Sequence, residues 1–82
     1  MKIYWNGESK NIIGSRLKGL RQQQNISQRM LAARLTLSDV EFSDLTILGV
    51  EKGERFVPDY EIAVIADYFK VSADYLFGRT EQ

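Results

Sequence analysis

Three serines, Ser27, Ser43 and Ser72, each stand directly before a run whose apolar residues recur at three- and four-residue spacing. A serine hydroxyl at such a place accepts a hydrogen bond from a backbone N–H two or three residues on, so the pattern predicts three helix starts. Stop signals follow closely: Asn25 before the first of these starts, Lys52-Gly53 after the second run, and Gly78 after the third. Apolar period 3.6, interrupted this often, leaves room only for short helices that share one core.

The remaining helices follow from the same reading. Ile13, Leu17 and Leu20 recur with Arg16, Lys18 and Arg21 between them, which predicts a first helix with a basic outer face. Gly14 and Gly19 lower its intrinsic propensity, so packing must hold it. Asn25 suits a left-handed stop after Gln24. Behind Ser27, Met30, Leu31 and Leu35 form an apolar stripe, and Ala32 and Ala33 permit close approach of a neighbour. Residues 36–42 form a connection that carries Leu37 and Val40. Ser43 opens a third helix in which Asp44 suits the positive end of the dipole, with Gly53 as its left-handed cap. Pro58 precedes Asp59, read as the cap of a fourth helix whose apolar face is Ile62, Ile65, Ala66 and Phe69. Ser72 caps a short fifth helix with Tyr75, Leu76 and Phe77. Ahead of all five, residues 1–10 hold alternating Ile3 and Trp5 and an Asn6-Gly7 turn, and read as an arm or short strand. The expected division is therefore an arm at 1–10, an all-α domain at 11–78 and a tail at 79–82.

Composition removes most chemistry. The 82 residues include neither Cys nor His. Disulfides, a thiolate nucleophile, Cys-ligated metals, a Ser–His–Asp triad and an imidazole base are all excluded. Asp39, Glu41 and Asp44, and the pair Asp59 and Glu61, are the carboxylate groupings; none has a convergent Lys or Tyr, and capping and solvation account for them. The glycines are dispersed, with no phosphate-cradling loop. A non-enzymatic protein with no cofactor, no metal and no small-molecule ligand is expected. The longest apolar runs are far short of a membrane span and no secretory pattern opens the chain, so the expected location is the cytoplasm.

Eleven Lys and Arg balance eleven Asp and Glu. The balance is uneven along the chain: residues 1–38 carry seven cations against Glu8, net +6, and residues 39–82 four cations against ten acids, net −6. Such asymmetry suggests a polyanion-facing surface on the basic half.

Four stretches in order, Ile13-Gly-Ser-Arg-Leu-Lys-Gly-Leu-Arg21, Ile26-Ser-Gln-Arg-Met-Leu-Ala-Ala-Arg-Leu35, Val50-Glu-Lys-Gly-Glu-Arg55 and Ile65-Ala-Asp-Tyr-Phe-Lys-Val-Ser-Ala-Asp-Tyr-Leu-Phe-Gly78, resemble the phage-repressor-like Cro/C1-type (XRE) helix-turn-helix family. The resemblance implies a compact five-helix lambda-repressor-like DNA-binding domain and a transcription regulator whose partner is double-stranded DNA. It implies a second helix at about 28–36 and a recognition helix at about 44–51. Ser27, Gln28 and Arg29 would meet phosphate at the start of the second helix, with Lys52 and Arg55 doing so beyond the third. Asp44, Leu45, Thr46, Leu48 and Gly49 would face base edges. Arg21 and Glu51 match positions that form a structural ion pair in the family.

Two features depart from the family pattern. The connection at 36–42 is longer than in its compact members and brings Asp39 and Glu41 close to the implied DNA face. The outward positions of the third helix lack the Arg, Lys, Gln or Asn that match guanine and adenine in two-point fashion. A second reading therefore stands beside the first: an interaction module that kept the fold, lost base reading and uses Leu45 and Leu48 for protein contact. Tyr60, Tyr68, Phe69, Tyr75 and Phe77, at helical spacing, read as core and edge packing. A homodimer, if formed, would use the N-terminal arm or the last helix, with Tyr75, Phe77, Ile3 and Trp5 as contacts.

Overall fold

The computed structural model describes residues 9–80, and these form five helices with no strand among them. They are α1 (Gly14–Gln23), α2 (Gln28–Thr36), α3 (Asp44–Glu51), α4 (Asp59–Phe69) and α5 (Ala73–Leu76). Most of the arm read at residues 1–10 lies outside the described residues. Lys10, which falls within them, donates its backbone N–H to the Gly53 carbonyl at 2.8 Å.

The serine caps are in place. Ser27 accepts from the Met30 N–H at 3.0 Å, Ser43 from Thr46 at 3.1 Å and Ser72 from Tyr75 at 3.0 Å. Each satisfies one of the first-turn donors that a helix leaves unpaired. Asn25 (φ 55°) adopts the left-handed conformation, as does Gly53 (φ 74°) after α3. The fourth helix differs from expectation. Its cap residue is Pro58, in extended conformation with φ −66°, and Asp59 is the first helical residue and makes no capping bond. Proline has its φ preset and no N–H to lose at a helix start, so it takes this place. Asp59 still suits the dipole.

The core is built from one face of each helix: Ile13, Leu17 and Leu20; Leu31, Ala32 and Leu35; Ile47 and Val50; Ile65 and Ala66; and Leu76. Met30, read as part of the second stripe, is 47 % exposed. The buried phase of α2 runs through 31, 32 and 35, and Met30 lies one residue, about 100°, away from it. Tyr60 also stands outward rather than packing, at 58 % exposure, whereas Tyr68, Phe69, Tyr75 and Phe77 are half-buried against the core. Among the described residues Glu61 is the one charged residue in the core.

The connection at 37–43 is an ordered turn. Thr36 Oγ1 accepts from the Phe42 N–H at 3.0 Å and lies within hydrogen-bond distance of the Ala32 and Phe42 carbonyls. The buried Phe42 ring fixes its far end, and Asp39 takes the left-handed conformation (φ 74°). Nearby the Tyr68 hydroxyl accepts from Arg34 and donates to Gln24 Oε1, both at 2.9 Å, tying α4 to α2 and to the end of α1. Together these contacts leave α2 and α3 packed on each other and α3 open on its outer side.

Candidate nucleic-acid interface

Eight residues give α3 about two turns, and its two buried residues, Ile47 and Val50, fix which side is outward. Asp44, Leu45 and Lys52 are exposed, with Leu45 at 72 %, and Thr46, Leu48 and Gly49 are half-buried at the edges of that face. The Thr46 hydroxyl is 3.0 Å from Ser43 Oγ, and Asp44 Oδ1 accepts from the Leu45 N–H. Of the five residues implied to face bases, Asp44 and Leu45 therefore project furthest.

The C-terminal end of α3 is held from three sides. First, Arg21 of α1 donates from Nε to Glu51 Oε2 at 2.7 Å and from Nη2 to Oε1 at 3.1 Å, a two-point pair whose side chains are 13 % and 3 % exposed. Gln28 of α2 donates to the same carboxylate at 3.0 Å, and Arg21 Nη1 reaches the Ile26 carbonyl at 2.9 Å. The Arg21 pKa is raised above the ordinary guanidinium value, chiefly by the hydrogen bond to Glu51, with the charge attraction adding and burial opposing.

Second, the Asn11 amide donates to the Val50 and Arg55 carbonyls, at 3.1 and 2.9 Å. Its oxygen accepts from the Ile13 and Gly14 N–H groups at 3.1 and 2.9 Å. Third, Arg55, just past the helix, pairs with the buried Glu61 of α4 at 2.7 and 3.1 Å and also donates to the Phe56 carbonyl.

These bonds decide what each residue implied to meet phosphate has left to offer. Ser27 accepts at its cap and keeps its hydroxyl hydrogen. Gln28 has one amide hydrogen on Glu51 and one remaining. Arg29 and Lys52 are exposed, and their side chains make no hydrogen bond or ion pair among the described residues. Arg55 would have to share its guanidinium with Glu61. Since Gln28 touches Glu51, the start of α2 lies beside the end of α3.

The fold has a solved counterpart. The chain is similar to the crystal structure of the DNA-binding domain of BldD, with a TM-score of 0.69 and 23 % sequence identity, over 89 % of this chain and 97 % of that one. At that identity the likeness is one of fold. No family model matches the chain, and no curated protein matches it in sequence.

The resemblance marked Arg21 and Glu51, and the structure joins them. Two other residues carry signals of their own in the sequence. Asn11 stands at the first position of the domain read at 11–78, and a side chain able to accept first-turn N–H groups just ahead of Ile13-Gly14 is itself a helix-start signal. Glu61 was grouped with Asp59 as a solvated carboxylate. Its spacing of four from Ile65 put it on the buried stripe, where a charge requires a partner. The structure separates the two carboxylates, Asp59 facing solvent and Glu61 turning in to Arg55. Among the described residues no group of carboxylates could hold a metal ion, and no helix is long and apolar enough to cross a membrane.

Proposed function

We propose that this chain is a small cytoplasmic transcription regulator of the Cro/C1 (XRE) type. In this reading α2 and α3 are its helix-turn-helix and α3 is the recognition helix. The observation that carries the reading is the mounting of α3. Arg21 and Gln28 grip Glu51 at one end of the helix, and Asp44, Leu45 and Lys52 stand exposed to solvent. The likeness to a solved structure described as a DNA-binding domain supports it further.

Ser27, Gln28, Arg29 and Lys52 would hold phosphates, with Arg55 a lesser contributor because Glu61 engages it. Asp44 would accept from a cytosine amine, Thr46 would bond a base edge or phosphate, and Leu45 would touch a thymine methyl, with Leu48 and Gly49 lining the approach. Two copies would bind paired half-sites, joined through the last helix or the N-terminal arm.

Each phosphate neutralised by a cation contributes about −0.9 to the slope of log affinity against log salt. Arg29 and Lys52, with or without Arg55, thus predict a slope of about −2 to −3 per domain. Titration of mixed-sequence duplex at several salt concentrations, followed by selection from a random duplex pool, tests this. A flat salt response, or a pool that converges on no site, would overturn it.

The exposure of Leu45, and of Leu37 at 85 % in the turn before it, favours a second reading in which this surface docks a protein. Leu48 is half-buried, so Leu45→Arg is the cleaner discriminating substitution. On the DNA reading it should tighten duplex binding and steepen the salt slope by about one. On the docking reading it should abolish partner capture and leave DNA binding absent.

A further inference from the structure

We propose that Asn11 is a positioning residue for the recognition helix: it sets the angle at which α3 meets the duplex while itself touching no DNA. The proposal rests on the DNA-binding reading above. A primary amide is the only small uncharged side chain that offers two donors and an acceptor, and Asn11 uses both kinds at once. Its oxygen takes the Ile13 and Gly14 N–H groups, which α1 cannot satisfy within itself, and its nitrogen serves the Val50 and Arg55 carbonyls at the end of α3. One side chain thereby closes the start of one helix against the finish of another.

The surroundings reinforce this junction. Gly14 has no side chain, and a Cβ there would collide with the Val50 carbonyl, so the α1 main chain runs directly against the end of α3. The Lys10 N–H bonds the Gly53 carbonyl next door. The Arg55 carbonyl held by Asn11 belongs to the residue whose side chain grips Glu61, so the same point is tied to α4.

Leverage makes the junction matter for reading. Asp44 lies six residues from Val50, roughly 9 Å along the axis. A tilt of about 10° about that end displaces it by roughly 1.5 Å, several times the spread of distances over which a hydrogen bond to a base edge holds. Phosphate contacts from the start of α2 do not depend on that tilt. Loss of the Asn11 donors should therefore degrade base reading while sparing backbone affinity.

Asn11→Ser keeps a capping hydroxyl for α1 and removes both amide N–H donors; Asn11→Asp keeps an acceptor oxygen, puts a second oxygen where the donors stood and sets a charge against two carbonyls. Two measurements are needed on the whole chain. In hydrogen exchange, the Gly53 and Glu54 amides, bonded to Val50 and Gly49 carbonyls, should exchange at least about tenfold faster in both variants. In binding, affinity for a duplex selected by the unaltered protein should fall at least about tenfold, while affinity for random duplex changes by less than about twofold and the salt slope stays the same. Equal loss on both duplexes marks a merely structural residue and overturns the proposal, as does unchanged exchange at Gly53 and Glu54. If the unaltered protein selects no duplex at all, it is the DNA reading that falls.

Discussion

Replacing Glu51 with alanine is expected to lower the unfolding free energy by about 3–5 kcal/mol, much of what a domain of this size has. The carboxylate is almost fully enclosed and carries three donors, two from Arg21 and one from Gln28. Its removal leaves the Arg21 guanidinium, 13 % exposed, with only the Ile26 carbonyl facing it. Deprotonation offers Arg21 no escape. Its folded-state pKa is raised, so the stabilisation it draws from this pair is complete below the unfolded value and is lost only as pH climbs through the still higher folded one. The deficit arising from Arg21 should therefore be the same at about pH 6 and about pH 9. The double replacement Arg21→Met with Glu51→Leu should recover most of the loss, because exchanging a buried pair for apolar groups of similar bulk is often neutral or better. Urea denaturation of Glu51→Ala and of the double replacement decides the matter. A Glu51→Ala deficit below about 1 kcal/mol would show that solvent reaches the pair and that it does not anchor α3.

Gly14→Ala and Gly19→Ala should move stability in opposite directions. Gly14 is the first residue of α1 and Gly19 lies in its interior, where alanine is the better helix former by about 1 kcal/mol. At Gly19 nothing lies within 4 Å of the added carbon, so that gain should appear nearly whole. At Gly14 the added carbon would run into the Val50 carbonyl and lie 3.0 Å from the Glu51 carbonyl oxygen. Both are main-chain atoms and cannot rotate away. Overpacking of this kind costs about 1–3 kcal/mol, and against main chain the upper end applies, leaving a net loss near 2 kcal/mol. Thermal denaturation of both variants gives the signs directly, and a stabilised Gly14→Ala protein would mean that α1 and α3 do not approach as described.

The five helices were legible because their signals are local. A serine ahead of an apolar run needs only the next three residues to become a cap, and Ser27, Ser43 and Ser72 all did. The bounds of α2 and α3 coincide with the 28–36 and 44–51 that the family resemblance implied. What the sequence did not yield depends on residues far apart in the chain. Asn11 is an ordinary polar residue until Val50 and Arg55 arrive beside it, 39 and 44 positions on. Arg55 reads as a free cation until Glu61 turns inward. The misplaced start of α4 has another cause: Pro58 and Asp59 both favour a helix start, and the ring that cannot donate took the earlier place. The family resemblance implied that Asp44 and Leu45 face outward, and both are exposed, but exposure says nothing of what they meet.

The bonds that hold α3 in place have one further property. Those from Asn11 end on carbonyl oxygens of the main chain, which every residue type carries, and those from Arg21 and Gln28 converge on Glu51 alone. None of the anchoring bonds to other helices uses the side chains of Asp44, Leu45 or Lys52. The domain thus stores its foldedness and its choice of partner at separate positions, and the outward residues form an alphabet that mutation can respell while the helix beneath keeps its seat.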